Sequence, residues 1–192
     1  MSEKSPDPKK SADADLRTRA ILEAGKACFL QFGYDKTTIE DVAQSAGISR
    51  PLVYRVFPNK LAILSAIYDD LFADRYLRAD AMVAAPGPMH TKLSMLFDIL
   101  LIEPWLEMMG SPQAATLMAA CAALSPDQEA RHQARQGALF AQVMGSAIAA
   151  QVVQLSAEGL QSDIPSAEVL KSRLDVLIAA FAPISLTSTD KP

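Results

Sequence analysis

TIEDVAQSAGISRPLVYRVFPNK, residues 38–60, is the stretch on which the fold turns. Thr37 with Glu40, or Thr38 with Asp41, fits a capping box, so a helix starts here in either register. Ile39, Val42, Ala43 and Ala46 supply its buried face, and Gly47 stops it. Ser49 then suits an N-cap, with Pro51 in the first turn, where a missing N–H costs nothing. Ile48 and Val53 stand at the staple positions of that second helix. It is short, because Pro58 biases Phe57 away from helical geometry. Two short helices joined by a tight glycine turn predict a helix-turn-helix.

The charge of this segment is unusual for its chain. From Val42 to Tyr68 there is no Asp or Glu, yet Arg50, Arg55 and Lys60 are present, while the whole protein has a formal net charge of −4. On a helical wheel Val53 and Phe57 face the core with Leu52 and Val56 beside them. Arg50 and Tyr54, one turn apart, share a different side flanked by Arg55. Arg can pair bidentately with guanine O6 and N7, and Tyr and Ser hydroxyls reach phosphates. Free N–H groups at the helix starts, Thr38 and Ser49, suit phosphate oxygens as well. An acid here would repel a DNA backbone. A solvated cationic face on a helix-turn-helix that never meets DNA would show the same charge and spacing, so both readings stand on these grounds alone.

Working outward, a first helix is expected from about Leu16 to Phe32, with Asp13 or Asp15 as cap, Ile21, Ala24, Cys28 and Phe32 inward, and Gly33 ending it. Asn59 can cap a longer helix, roughly Lys60 to Ala84, with Leu61, Leu64, Ile67, Leu71 and Phe72 inside. APGP at 85–88 is a loop. Ala/Leu/Met-rich helical segments follow, broken near Pro104, Gly110-Ser111-Pro112 and Ser125-Pro126. A long helix is expected from about Asp127 to Leu160 and a last one from about Ser166 to Phe181. The chain is all-α: hydrophobic residues make up 50% of its 192 residues, and no stretch alternates as a strand.

Residues 1–60 hold ten Lys/Arg against eight Asp/Glu, and the remainder eight against fourteen, which suits two zones with different electrostatic duties. Cys28 and Cys121 lack the spacing of a disulfide framework or zinc site and read as small core residues of a reducing compartment. The opening MSEKSPDPKKSADAD is charged, so it reads as a disordered tail and not a signal peptide. Residues 136–157 are uncharged and long enough to span a bilayer, but four glutamines would then sit in hydrocarbon. No membrane partner and a cytoplasmic location follow as expectations. With two histidines in the chain, His90 and His132, and no Ser/His/Asp, Cys/His or phosphate-loop arrangement, no catalytic residues, metal site or cofactor are expected.

Residues 18–64, TRAILEAGKACFLQFGYDKTTIEDVAQSAGISRPLVYRVFPNKLAIL, closely resemble the DNA-binding domain of the TetR family of bacterial transcriptional regulators. The resemblance rests on the ILEA–F–GY opening, the TT–I–D–VA–AG–S second helix and the S–R–P–L–VY–FPNK third helix. It implies a homodimer, each subunit carrying three N-terminal helices for DNA and a larger C-terminal helical domain for ligand and dimerisation. By position it implies that Thr38 touches a phosphate, that Ser49, Arg50, Pro51 and Tyr54 lie along the major groove with Arg55 close by, and that Lys60 contacts the backbone. Leu61 where an acid is common, Arg55-Val56 in place of a more usual His or aromatic pair, and Gly25 in place of Ala are departures that bear on base preference.

The domain plan is then a tail at 1–14, the DNA-binding domain at 15–62, the effector-binding and dimerisation domain at 63–184, and a C-terminal tail at 185–192. Gly137, Ala141, Gly145 and Ala149 recur every four residues, a small-residue stripe that would let another helix approach. With Val169, Leu170, Leu174, Leu177, Ile178 and Phe181 they are the expected dimer interface, packing within one subunit being the alternative. Phe97, Leu101, Trp105, Met108, Met109, Met118 and Cys121 are candidate pocket-lining residues, although they suit an ordinary core equally well. The expected function is a ligand-responsive repressor released from a palindromic, inverted-repeat operator in double-stranded DNA by a small apolar effector. A hydrophobic-ligand carrier with a vestigial helix-turn-helix is the rival.

Overall fold

The computed structural model describes residues 8–109, 111–122 and 124–182, and the side chains of all of these except 8–12, 115, 118 and 122. The expected C-terminal tail, and the N-terminal tail up to residue 7, lie outside the described residues. Among the described residues every regular element is helical. These are α1 (Pro8–Phe32), α2 (Ile39–Ser45), α3 (Arg50–Val56), α4 (Lys60–Ala84), α5 (Met89–Phe97), α6 (Glu103–Met109), α7 (Ala114–Ala122), α8 (Pro126–Met144), α9 (Ala147–Leu160) and α10 (Ala167–Phe181), with a π-helical turn at Asp98–Ile102. None of these helices is long and apolar enough to cross a membrane.

The chain forms two compact units. One takes in the described residues of Met1–Leu71 and Gly110–Leu124, the other those of Phe72–Met109 and Ser125–Pro192. The first stretch of that unit runs to Leu71, and the unit also takes in α7 from the middle of the chain. The reason is burial. Leu117 and Leu124 join Ile21, Cys28, Phe29, Val42, Val53, Phe57, Ile63 and Leu64 in one core.

Within the first unit α1 starts at Pro8, well before the expected Leu16. Proline is tolerated in a first helical turn, and Lys9, Lys10 and the alanines that follow propagate the helix. Phe29 takes the central place in the α1 stripe, while the expected Phe32 is 47% exposed. In α4 the inward phase starts at Ile63 and Leu64, and Leu61 is outside at 44%. Gly25 lies where α1 passes close to α4: a Cβ there would lie 2.9 Å from Ile63 Cγ2 and 3.2 Å from Ile67 Cδ1.

The second unit is a helical bundle whose core comprises Leu93, Leu96, Phe97, Trp105, Leu139, Phe140, Val153, Leu170, Leu174 and Ile178. Phe97 meets Phe140 with ring centroids 4.9 Å apart. The expected break near Pro104 is absent. The helix runs on through the π-helical turn, in which Glu103 N–H donates to Asp98 O, five residues back. Proline lacks an N–H and crowds the carbonyl four residues before it, and the wider turn relieves both problems. By contrast the expected single helix from Asp127 to Leu160 is two helices. Gly145 ends α8 in the left-handed region at φ +66°, and Ser146 caps α9 by accepting from Ala149 N–H. A glycine followed by a capping serine turns the chain, and α8 and α9 pack on each other as a hairpin. The four-residue stripe is broken by that turn, with Gly137 and Ala141 on α8, Gly145 in the bend and Ala149 on α9.

Candidate nucleic-acid interface

The first unit places a short helix with its polar face outward, and each turn of its approach has a local cause. The α2 cap takes the Thr38/Asp41 register. Thr38 Oγ1 and Thr38 N–H both donate to Asp41 Oδ2 at 2.7 Å, and Asp41 N–H donates back to Thr38 Oγ1 at 3.2 Å. Those two bonds hold the Asp41 carboxyl below its ordinary pKa. Thr37, the other register, is buried instead, its hydroxyl within 2.8 Å of Gly33 O and 3.2 Å of Cys28 O. Burial pushes the Cys28 thiol pKa up, in keeping with a core residue and not a reactive one.

Gly47, at φ +68°, turns the chain between α2 and α3, a conformation that costs little only without a Cβ. Ser49 caps α3 by backbone conformation, and its hydroxyl makes no capping bond. Pro51 sits in the first turn, and Val53 is fully buried under the helix. Ile48 and Val56 pack beside it against the core, and Phe57 closes it. Burying that side leaves Arg50, Pro51, Tyr54 and Arg55 exposed. Arg50 Nη2 donates to Tyr54 Oη at 3.4 Å, and its guanidinium carbon lies 5.5 Å from the Tyr54 ring centroid. The two residues form one preorganised cationic surface, which raises the Arg50 pKa chiefly through that hydrogen bond.

Lys60 is elsewhere. Its ammonium faces inward to the turn after α1, donating to Tyr34 O at 2.6 Å, Thr37 O at 2.9 Å and Asp35 O at 3.3 Å. It also lies 4.3 Å from the Tyr34 ring centroid. The structure thus brings Thr38, Ser49, Arg50, Pro51, Tyr54 and Arg55 to α2 and α3, with Lys60 on the adjoining turn. Tyr34 was not expected from the sequence, although it belongs to the Gly-Tyr pair that opens the resemblance.

The expected pocket residues do not gather in one unit. Phe97, Leu101, Trp105, Met108 and Met109 lie in the second, while Cys121 packs against the core of the first. The Met118 side chain lies outside the described residues. Phe97 and Trp105 are core anchors, and Trp105 Nε1 donates to Pro165 O at 3.1 Å. The second unit also carries buried polar groups with no sequence signal of their own. Arg75 on α4 pairs with Glu107 and lies 3.6 Å from Glu103, and Tyr76 Oη is 2.8 Å from His132 Nδ1. Phe72 stacks on the Tyr76 ring and meets the His132 ring at a tilt, with centroids 5.7 and 5.1 Å away. His132 is therefore a core residue. Among the described residues no group of three or more His, Cys, Asp or Glu could hold a metal ion.

A glycine-turned pair of short helices, with an exposed Arg–Tyr face and a third helix bracing it, defines a helix-turn-helix module. Residues 21–67 match the family model for bacterial regulatory proteins of the tetR family. The uncharacterised HTH-type transcriptional regulator YhgD of Bacillus subtilis is 34% identical over 85 residues, 44% of this chain and 44% of YhgD. The chain spans less than half the length of the curated relatives it first matches. The fold extends further. The structure of SmeT, the repressor of the Stenotrophomonas maltophilia multidrug efflux pump SmeDEF, covers 91% of this chain and 96% of its own at a TM-score of 0.65 and 19% identity. A SmeT–triclosan complex gives 92%, 98%, 0.64 and 18%. Residues 21–67 are thus similar to the DNA-binding region of tetR-family regulators, and the chain shares its fold with SmeT.

Proposed function

We propose that this protein is a ligand-responsive repressor that binds an inverted-repeat operator as a homodimer in the cytoplasm and leaves it when a small apolar effector binds. The observation that carries the reading is the outward Arg50–Tyr54 face of α3 on a segment that has no acid from Val42 to Tyr68. Arg50 is placed for base-edge contact, and Tyr54, Ser49 and Thr38 for phosphates, with Arg55 alongside. One such module has a small footprint, so two are needed, their α3 helices meeting successive major grooves about 34–36 Å apart.

The surface for that pairing is an exposed apolar one. Leu170, Leu174 and Ile178 are at most 2% exposed within the single chain, so they present little to a second copy. Ile148, Val152 and Leu155 on α9 and Val169 and Val176 on α10 are each more than 40% exposed. Gly137, Ala141 and Ala149 are half-buried, as are Leu177 and Phe181, and they adjoin this surface only in part. We assign the dimer contact to the outward faces of α9 and α10.

Release follows if the effector prefers a conformation unsuited to the operator, since a ligand shifts an equilibrium only through differential affinity. A coupling of about 1–3 kcal/mol would change DNA affinity roughly 5- to 150-fold. The SmeT repressor, similar in fold, is known in complex with triclosan, which supports an apolar effector here. The test is selection from a random-sequence duplex pool with the full-length protein at moderate salt. One enriched inverted repeat is expected. Salt-sensitive retention with no enriched sequence would mean phosphate binding alone and would end the repressor reading.

A further inference from the structure

Among the described residues Ile164, in the loop between α9 and α10, is the one non-glycine residue with a positive φ, +52°. A β-branched side chain is disfavoured there, and Pro165 restricts the residue before it further. Glycine or asparagine would turn the chain at this point with less strain. Within the subunit the isoleucine adds little packing, because it is 49% exposed.

The loop is nonetheless held on both sides of it. Arg173 donates to the two Asp163 carboxylate oxygens at 2.6 and 2.8 Å and to Leu160 O at 2.8 Å. Ile164 N–H donates to Gln161 O at 3.0 Å, and the buried Pro165 accepts from Trp105 Nε1. The same Arg173 lines a shallow groove on α10 with Glu168, Val169, Ser172 and Val176. One ion pair therefore ties a protruding apolar side chain to a groove edged by two exposed valines.

The surroundings suit a contact with an identical surface. Ser156 Oγ donates to Val152 O at 2.8 Å and Ser172 Oγ to Glu168 O at 3.0 Å, so these hydroxyls are satisfied by their own helices. From Ala147 to Ala157 α9 carries no charged residue, and on α10 Lys171 and Arg173 pair with Asp98 and Asp163. A two-fold contact sets a face against its own copy, so a face with little net charge avoids repelling itself. It also sets each knob against the groove of the other copy when both lie on one face.

We propose that Ile164 is an anchor of the homodimer contact, held out by the strained loop to enter the α10 groove of a second copy. This rests on the homodimer reading above. Burial in that groove accounts for both features that the lone subunit leaves unexplained, the positive φ and the exposure.

The test is the dimer dissociation constant of the full-length protein, measured by sedimentation. Wild type is compared with Ile164→Asn, Ile164→Ala, Val176→Ala and the double alanine variant. Asparagine tolerates a positive φ, so Ile164→Asn removes the apolar group and eases the strain together. The dissociation constant is expected to rise about tenfold or more in Ile164→Asn, with unchanged far-UV circular dichroism. The double alanine variant is expected to fall short of the product of the single losses by about twofold or more. Val176 stands more than two turns along α10 from Ala167, about 13 Å by helical rise, so such coupling reports contact across the dimer. An unchanged dissociation constant in Ile164→Asn would leave the dimer standing and overturn the anchor. Strictly multiplicative alanine losses would overturn its pairing with the groove. Partial unfolding of Ile164→Asn would show that the side chain supports its own subunit, and would overturn the anchor as well. A wild type that sediments as a monomer at every concentration would end the homodimer reading itself, and the anchor with it.

Discussion

At single residues, the reading surface and its support separate into effects that different measurements see. Arg50→Ala is expected to cost about 1–3 kcal/mol of operator binding and to relax one base position, with the fold intact by circular dichroism. A variant that binds all sequences equally less well would instead mark Arg50 as a phosphate contact. Thr38→Ala removes the α2 cap and is expected to lower unfolding stability by about 1 kcal/mol in a urea titration. The same cap gives a pH dependence. Asp41 titrates below the ordinary 3.8 when folded, because Thr38 donates twice to its carboxylate. Its contribution is therefore complete above that ordinary value and is lost as pH falls through the lower, folded one. Wild type and Asp41→Asn should differ most in melting temperature near neutrality and converge in acid. Gly25→Ala should also destabilise. Alanine gains about 1 kcal/mol of helix propensity, but its Cβ would be 2.9 Å from a β-branched methyl on fully buried Ile63. Relief by Ile63→Leu in the same chain, which removes the β-branched methyl, would identify the clash.

At the level of elements, what the sequence discloses depends on whether the signal is local. The α2 start, the Gly47 turn, the Pro51 position and the α4 span from Lys60 to Ala84 are set by caps, glycines and prolines within a few residues, and all are readable. Two elements were not, for opposite reasons. Pro104 is a strong breaker in any local reading, yet a π-helical turn, paid for by burial of Leu100, Ile102 and Trp105, carries the helix past it. Gly145 is a weak breaker inside an Ala/Gln-rich run, yet it bends the chain, because Ala150 and Val153 of α9 gain burial in the hairpin. Gly145→Ala tests this. Alanine at φ +66° is expected to cost about 1–2 kcal/mol of stability in chemical denaturation. No loss would mean the bend tolerates another backbone conformation. The site was legible in the same uneven way. Arg50 and Tyr54 share a helix face four residues apart, whereas Lys60 donates to carbonyls 23 to 26 residues away and no periodicity reports it.

For the molecule as a whole, the prediction concerns assembly. Replacing Leu155 and Val176 by Glu places charge on the outward faces of α9 and α10. Because both side chains are well exposed, subunit stability should stay within about 0.5 kcal/mol. Sedimentation should nevertheless report a monomer, and operator affinity should collapse with it. A persistent dimer would move the contact elsewhere. The charge of the chain is divided in keeping with this scheme, slightly positive over residues 1–60 and clearly negative over the rest.

The recruitment of α7 into the first unit has a practical consequence. A fragment ending at Leu71 would contain all of α1, α2 and α3 but would lack Leu117 and Leu124. Its recognition helix would be intact and its interior open to water. The head is therefore not a cassette that can be excised at one cut. A chimera that transplants it onto another regulator must either carry α7 along or supply apolar side chains of similar volume in its place.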